Sequence, residues 1–296
     1  MTIIFDGFKR AREREVTLER AIDAAQLTQP IIIQSLVFVE DEGSVLYTRL
    51  KAEAAERVGI EYRKKEFSLS DPIEEVRVAI TAANHDSAVT GLIVQKPSRT
   101  VYEAHATAPY SQWWLSLVSA IAMNKDVDGL HPETLQSGSI LPATCRAVLA
   151  IMAEALGGTV ENVQHQDKKI IIIGRSDLLG RPLAQELKRQ GADVELLGKK
   201  ELQQRIDSGE KLLEADVVVS ATGVGDLITP DLVKVGVIAI DVGEPQPDIS
   251  RAVADKASFF TPVPGGVGPM TVVCLLDNSL VLVKDIYGSR FRITTK

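Results

Sequence analysis

The chain is short of the residues that build covalent or metal-bound scaffolds. It has two cysteines, Cys145 and Cys274, too few for a disulfide framework or a four-thiolate metal site. Its four histidines, His85, His105, His131 and His165, are scattered without a shared ligand spacing, so no metal is expected. It also lacks a long apolar run. The densest stretch outside candidate strands, Trp113 to Met123, is about half of the roughly 20 residues that a spanning helix needs. Residues 1–13 carry no apolar leader core. Nor is there an excess of basic residues: 33 Lys+Arg against 40 Asp+Glu leave a net charge of −7, whereas a nucleic-acid binder shows a basic footprint. These absences predict a soluble protein of a reducing compartment, the cytoplasm, with neither nucleic acid nor membrane as partner. A local basic pocket for a phosphate stays open.

What is present is ordinary for a globular protein: 45% apolar and 25% charged residues over 296 positions. At roughly 100–200 residues per domain, that length predicts two domains and a core that needs no staple. Residues 16–26 read as helix, and Ile31–Val39 is an apolar, β-branched run suited to a strand buried on both faces of a parallel sheet. A helix follows from Ser44 to its glycine stop at Gly59, then a second strand at Glu66–Leu69, a helix after Asp71-Pro72, and a third strand at Ala88–Gln95. Residues 96–112 read as loop, with a helix at 113–123, where Trp113 and Trp114 are core or interface anchors. A helix follows Pro142, and a domain boundary is expected near residues 147–148. The alternation then restarts: strands at Lys169–Gly174, Ala192–Leu197, Asp216–Ser220, Val237–Val242 and Ser258–Thr261, helices at Gly180–Gly191 and Ile249–Lys256. A last helix, about 271–296, is expected to return to the first domain. Strand and helix in alternation spell an α/β layer fold.

The strand KIIII runs into Gly174-Arg175-Ser176-Asp177-Leu178-Leu179-Gly180-Arg181-Pro182. A strand, a tight turn and a helix start place free N–H groups and a positive dipole end where a phosphate can sit. After the next strand, where an NAD-selective site offers an acid for the ribose 2′-OH, the chain has Gly198-Lys199-Lys200, and Arg175 stands in the first loop. Positive charge there favours a 2′-phosphate, and hence NADP over NAD. Two alternatives stay open: the lysines may be read as solvated loop charges, and Glu195 is a competing acid.

Four further segments occur in order. They are SxxYxxxKxxxxxxxGI (Ser44, Tyr47, Lys51, Gly59, Ile60), GLIVQxP (Gly91–Pro97), KDVDGxHP (Lys125–Pro132) and TPVPGGVGPMT (Thr261–Thr271). With GRSxxxGxP at Gly174, the set resembles the bifunctional methylenetetrahydrofolate dehydrogenase/methenyltetrahydrofolate cyclohydrolase family from about residue 31 to 283. The resemblance implies an N-terminal α/β catalytic domain and a Rossmann-like parallel-sheet domain binding NADP or NAD, with a folate cleft between them. It also implies oxidation of 5,10-methylenetetrahydrofolate followed by hydrolysis to 10-formyltetrahydrofolate, and a homodimer. Carried over by position, the catalytic residues are Lys51, Tyr47, Gln95 and Asp128. The cofactor residues are Gly174, Arg175, Ser176, Gly180, Lys199, Gly243 and Glu244. The substrate residues are Tyr47, Asp128, Pro264, Gly265, Gly266 and Pro269.

The chemistry of the first group makes sense unaided. Tyr47 and Lys51 share one helix face, a turn apart. A lysine kept from water beside a hydroxyl and an amide can give up its proton near neutral pH and manage water attack on a C=N⁺ carbon. An Asp carboxylate can accept paired N–H donors from a pterin ring.

The chain departs from the family pattern in places. VQLPLP is here Val94-Gln95-Lys96-Pro97-Ser98-Arg99, and the stretch to Asp128 is longer. PCTPxG is Pro142-Ala143-Thr144-Cys145-Arg146-Ala147, and CHSxT is Leu197-Gly198-Lys199-Lys200-Glu201. Glu244-Pro245 follows the DVG of Asp241–Gly243. These departures leave three rival readings: an enzyme with the cyclohydrolase activity alone, a non-catalytic folate-binding relative, and another two-domain NAD(P)-dependent dehydrogenase.

Overall fold

The computed structural model describes residues 1–287. In chain order the elements are β1 (Ile3–Ile4), α1 (Gly7–Ala25), β2 (Ile32–Phe38), α2 (Glu42–Arg57), β3 (Glu61–Phe67), α3 (Ile73–His85), β4 (Gly91–Val94), α4 (Arg99–His105), α5 (Tyr110–Val118), α6 (Pro132–Ser137), α7 (Ala143–Leu156), β5 (Gly158–Thr159), β6 (Asn162–Val163), β7 (Lys169–Ile173), α8 (Gly180–Arg189), β8 (Asp193–Leu197), α9 (Lys199–Asp207), β9 (Val217–Ser220), β10 (Ile238–Asp241), β11 (Phe259–Phe260) and α10 (Val267–Tyr287). No helix among the described residues is long and apolar enough to cross a membrane.

The chain divides into two compact units, and each is discontinuous in sequence. One comprises Arg12–Leu141 and Val272–Lys296, the other Met1–Ala11 and Pro142–Thr271. This differs from the expected split at 147–148. The first residues belong with the second half because β1 pairs in parallel with β11, Ile3 beside Phe259 and Ile4 beside Phe260. Residues 288–296 of the expected last helix lie outside the described residues.

The first unit is built on a parallel sheet in the order β3-β2-β4. Its central strand carries Ile33, Leu36, Val37 and Phe38, all buried, as a strand covered on both faces requires. β3 begins earlier than the expected Glu66 because EYRKKEF is an edge strand whose charges stay in water. Only Phe67 of it is buried. α2 is capped by Asp41, whose carboxylate accepts from the Ser44 N–H at 3.0 Å. α1 and α10 join this unit through Glu15, bound by Arg57 at 2.7 and 2.8 Å, and through Asp277, bound by Arg14 at 2.9 Å.

The long 96–123 stretch is not loop followed by one helix. Ser98 caps α4, and an Arg99–Glu103 pair at 2.7 Å supports it. α5 then ends at Val118 in a turn. Together they gather Tyr102, Tyr110 and Trp113 into one aromatic cluster, in which Trp113 meets Phe38 with ring centroids 5.1 Å apart. Trp114 is buried, and Trp113 is half-buried.

The second unit holds a six-stranded parallel sheet in the order β1-β11-β10-β9-β7-β8. Its core joins Ile171, Ile173, Val218, Ile228, Val237, Ala239 and Phe260. The crossover from β8 past β7 to β9 makes a switch point, where such sheets bind ligands outside the strands' carboxyl ends. Residues 249–256 form a 3₁₀ turn at Arg251–Asp255 in place of the expected helix.

The start of α1 is clamped onto the loop after β11. The Gly7 N–H donates to the Gly265 carbonyl at 2.8 Å, and a Cβ at Gly7 would lie 1.9 Å from the Gly266 carbonyl oxygen. Gly7→Ala is therefore expected to cost about 2 kcal/mol or more and lower Tm by roughly 5 °C in calorimetry. An unchanged Tm would show that this approach is not a constraint.

Candidate active site

In the first unit, α2 and β4 bring two polar side chains together. Lys51 faces inward and is only 4% exposed. Its Nζ donates to Gln95 Oε1 at 2.9 Å. Gln95 stands one residue past β4, where its own N–H still bonds to the Leu36 carbonyl at 2.8 Å. The two elements are pinned at their ends by Ser44. Its hydroxyl sits against the Asp41 carboxylate and 3.0 Å from the Lys96 carbonyl oxygen. Tyr47 is half-buried one turn before Lys51.

Asp128 supplies the opposing charge, from a turn whose residues divide the work. Lys125 is structural: its Nζ donates to the carbonyls of Ala83 and Asp86 at 2.8 and 2.6 Å, closing the end of α3. Asp126, fully buried, accepts from the N–H groups of Leu130 and His131 at 3.1 and 2.9 Å. Gly129 turns the chain with φ of +70°. Val127 is held from α10, where Asn278 Nδ2 donates to the carbonyls of Val127 and Leu141 at 3.1 and 2.9 Å. Asp128 is thus left to face the lysine.

Burial holds the Lys51 ammonium below the usual lysine range, and the Asp128 charge works against that shift. Burial raises the Asp128 carboxyl, Asp126 adds to the rise, and Lys51 opposes it. Each charge opposes the shift that burial imposes on the other, which couples the two groups electrostatically. Tyr62, on β3, also senses Asp128: burial, with the carboxylate's charge, pushes its phenol well up. The buried hydroxyls of Ser35, Thr48 and Tyr62 have no hydrogen-bond partner among the described residues.

Lys96, where the family pattern has an apolar residue, lies over the rings of Trp114 and Tyr110, 5.0 and 5.7 Å from their centroids. The substitution and the longer segment belong together: the aromatic faces of α5 hold the extra cation.

In the second unit, β7 ends at Gly174, whose φ is +116°. A Cβ there would lie 2.4 Å from the Ala221 carbonyl oxygen, and one at Gly180 would lie 1.7 Å from the Gly174 carbonyl oxygen. Only glycine allows the strand end and the start of α8 to close up in this way. Ser176 Oγ accepts from the Leu179 N–H at 3.3 Å, and its carbonyl accepts from the Arg181 N–H at 3.1 Å. The result is a short turn leading straight into a helix N-terminus, a cradle of the kind that holds a pyrophosphate. The residues present fit a dinucleotide.

Lys199 and Lys200, read alternatively as loop charges, open α9, with Gly198 as its cap after β8 ends at Leu197. Lys199 and Lys200 are exposed on its first turn, and Glu201 pairs with Arg175 at 2.7 Å. Glu195 pairs with Arg205 at 3.3 Å. Glu244 is exposed, and a Cβ at Gly243 would lie 2.5 Å from Asp248 Oδ1. Asp241 accepts from the N–H groups of Gly243, Asp248 and Ile249. Burial raises its pKa to about 6. Pro264, Gly265, Gly266 and Pro269 lie in the β11–α10 loop and the first turn of α10. Among the described residues no cluster of three His, Cys, Asp or Glu is placed to hold a metal ion.

Residues 5–128 match the family described as tetrahydrofolate dehydrogenase/cyclohydrolase, catalytic domain, and residues 142–286 match its NAD(P)-binding domain. The chain belongs to this family. With membership come the family's two activities, its folate substrate and its nicotinamide cofactor. The bifunctional protein FolD of Cupriavidus pinatubonensis is 32% identical over 305 residues, spanning 96% of this chain and 99% of the relative. The crystal structure of the bifunctional FolD enzyme from Campylobacter jejuni shares 28% identity, with a TM-score of 0.82 over 97% of this chain and 100% of that one. That of Trypanosoma brucei FolD, complexed with NADP cofactor and inhibitor, shares 26%, with a TM-score of 0.84 over 97% and 99%.

The sequence motifs bring Lys51 and Gln95 into hydrogen bond and place Asp128 within electrostatic reach. Sequence reasoning missed Glu201, whose signal was its place three residues past a β8-ending glycine, and the supporting pair Asp41 and Asn278. Lys51→Met removes the charge that opposes the rise of Asp128, so Asp128 should then titrate higher than in the wild type. The ¹³C carboxyl shift of labelled aspartate measures this, and an unmoved midpoint would break the pairing.

Proposed function

We propose that this chain oxidises 5,10-methylenetetrahydrofolate with NADP, accepting NAD as well, and hydrolyses the methenyl product to 10-formyltetrahydrofolate on the same side chains. The observation that carries this reading is the buried Lys51 amine 2.9 Å from Gln95 Oε1, with Asp128 as its electrostatic partner.

The residues divide the chemistry. Asp128 accepts the pterin's paired N–H donors and anchors the ring. Lys51, its proton loosened by burial, takes a proton from the attacking water as it adds to the methenyl carbon. It then returns that proton to the nitrogen that leaves as the ring opens, and the remaining hydroxyl proton passes to solvent as the formyl C=O forms. Gln95 fixes the amine by accepting one of its hydrogens, and Tyr47 lies on the same helix face to line the ring. When bound, the nicotinamide accepts the hydride of the first step. The loop of Gly174, Ser176 and Gly180 would cradle its pyrophosphate, and Arg175 and Lys199 would receive its ribose end. Gly243 and Glu244 border the same cofactor site. Pro264, Gly265, Gly266 and Pro269 form a side-chain-poor wall for substrate. A cytoplasmic homodimer is the expected setting, supported by the family resemblance.

A purified-protein assay tests the reading by following reduced cofactor and methenyl product together, with NADP⁺ and NAD⁺ in parallel. Turnover is expected. No turnover with either cofactor, together with hydrolysis of supplied methenyltetrahydrofolate, would favour a cyclohydrolase alone. Lys51→Ala is expected to cut hydrolysis by about 10²-fold or more while the circular dichroism spectrum stays native. Retained hydrolysis would remove Lys51 from its role.

A further inference from the structure

The end of β8 is where this fold class decides between the two nicotinamide cofactors, because the adenosine ribose lies beside the second strand's carboxyl end. An acid there accepts from a 2′-hydroxyl; an arginine there accommodates a 2′-phosphate. This chain places one of each at that point, bound to each other. Arg175 Nη1 lies 2.7 Å from Glu201 Oε1, and Arg175 Nη2 donates to the Leu196 carbonyl at 3.3 Å.

The ion pair lies over the strand end itself. A Cβ at Gly198 would lie 2.4 Å from Glu201 Oε2 and 3.5 Å from Arg175 Cδ, so the glycine keeps open the space that the pair uses. The two acids of β8 itself are committed elsewhere: Asp193 is bound by Lys169, and Glu195 by Arg205, which also bonds to Glu214. Neither partner of the Arg175–Glu201 pair is buried, with side-chain exposures of 46% and 41%. Such an exposed pair is cheap to open.

From this geometry, and resting on the cofactor reading above, we infer that Glu201 sets the balance between the cofactors. Its carboxylate occupies the Arg175 guanidinium in the place of a 2′-phosphate and offers an acceptor to a 2′-hydroxyl. NADP must displace it and then tolerate its negative charge nearby, whereas NAD is received by it. Arg175 and Lys199 draw the phosphate in, and Glu201 takes back part of that advantage, so both cofactors are admitted.

Calorimetric titration with two fragments tests the assignment without turnover. Adenosine 2′,5′-bisphosphate carries the discriminating phosphate and 5′-AMP the free hydroxyl. Glu201→Gln keeps the side chain's length at the third position of α9, where Gln is as suitable as Glu, and removes only the charge. The ratio of affinities is expected to move at least about fivefold toward the bisphosphate in this variant, the equivalent of about 1 kcal/mol. The same substitution in an Arg175→Ala background should move the ratio less than twofold. If both fragments bind the wild type and the ratio stays within twofold in Glu201→Gln, Glu201 does not discriminate and the inference fails. If neither fragment binds wild type or variant, the cofactor reading of the Gly174 loop is itself wrong.

Discussion

A buried amine is the constraint on which the first unit depends. Lysine is almost never fully buried unless it is paired, and an isolated charge placed there would be prohibitively expensive. Lys51 stays inside because Gln95 accepts one of its hydrogens and Asp128 lies within its field. Three separate pieces of chain, α2, the end of β4 and the Lys125–Leu130 turn, must therefore be held in register for one nitrogen. The supporting bonds serve that end: Asp41 and Ser44 fix the start of α2 against Lys96, Asp126 and Asn278 fix the turn, and Lys125 ties the turn to α3.

The second unit answers a different demand, an absence of side chains. Its loops approach each other so closely that a methyl group would collide with backbone at Gly174 and Gly180. What remains is a surface of N–H groups and one helix start, suited to a polyanion because no side chain stands in the way. Selectivity is then left to the few side chains at the rim, Arg175 and Glu201 foremost.

Much of this was legible in the sequence, for physical reasons. Strands that are covered on both faces must be apolar throughout, so β2, β4, β7, β9 and β10 announce themselves. The grouping of Lys51 with Gln95 and Asp128 was legible because SxxYxxxK, GLIVQ and KDVDG occur together and in order. β3 was placed late because an edge strand keeps its charges in water and carries little apolar signal. α4 and α5 were obscured because they are held by an aromatic cluster that meets Phe38, a contact with no local signature. The roles of Lys125 and Asp126 were likewise hidden: a motif names the residues, but only the fold shows that one of the two aspartates feeds backbone N–H groups while the other faces the lysine. Glu201 was missed because its pairing with Arg175 across the strand end has no local signature.

The interleaving of the chain has a consequence for biosynthesis. The ribosome delivers β1 first, yet its partner β11 emerges only after some 250 residues, so the edge of the larger sheet waits unpaired for most of translation. The Asp128 turn is made early, but the amide that grips the carbonyls of Val127 and Leu141 comes from Asn278, 151 residues after Val127. Each unit therefore waits on a later segment, β11 for one and α10 for the other, before its contacts are complete. A truncated product cut between Leu141 and Pro142 would strand β1 on one fragment and α10 on the other.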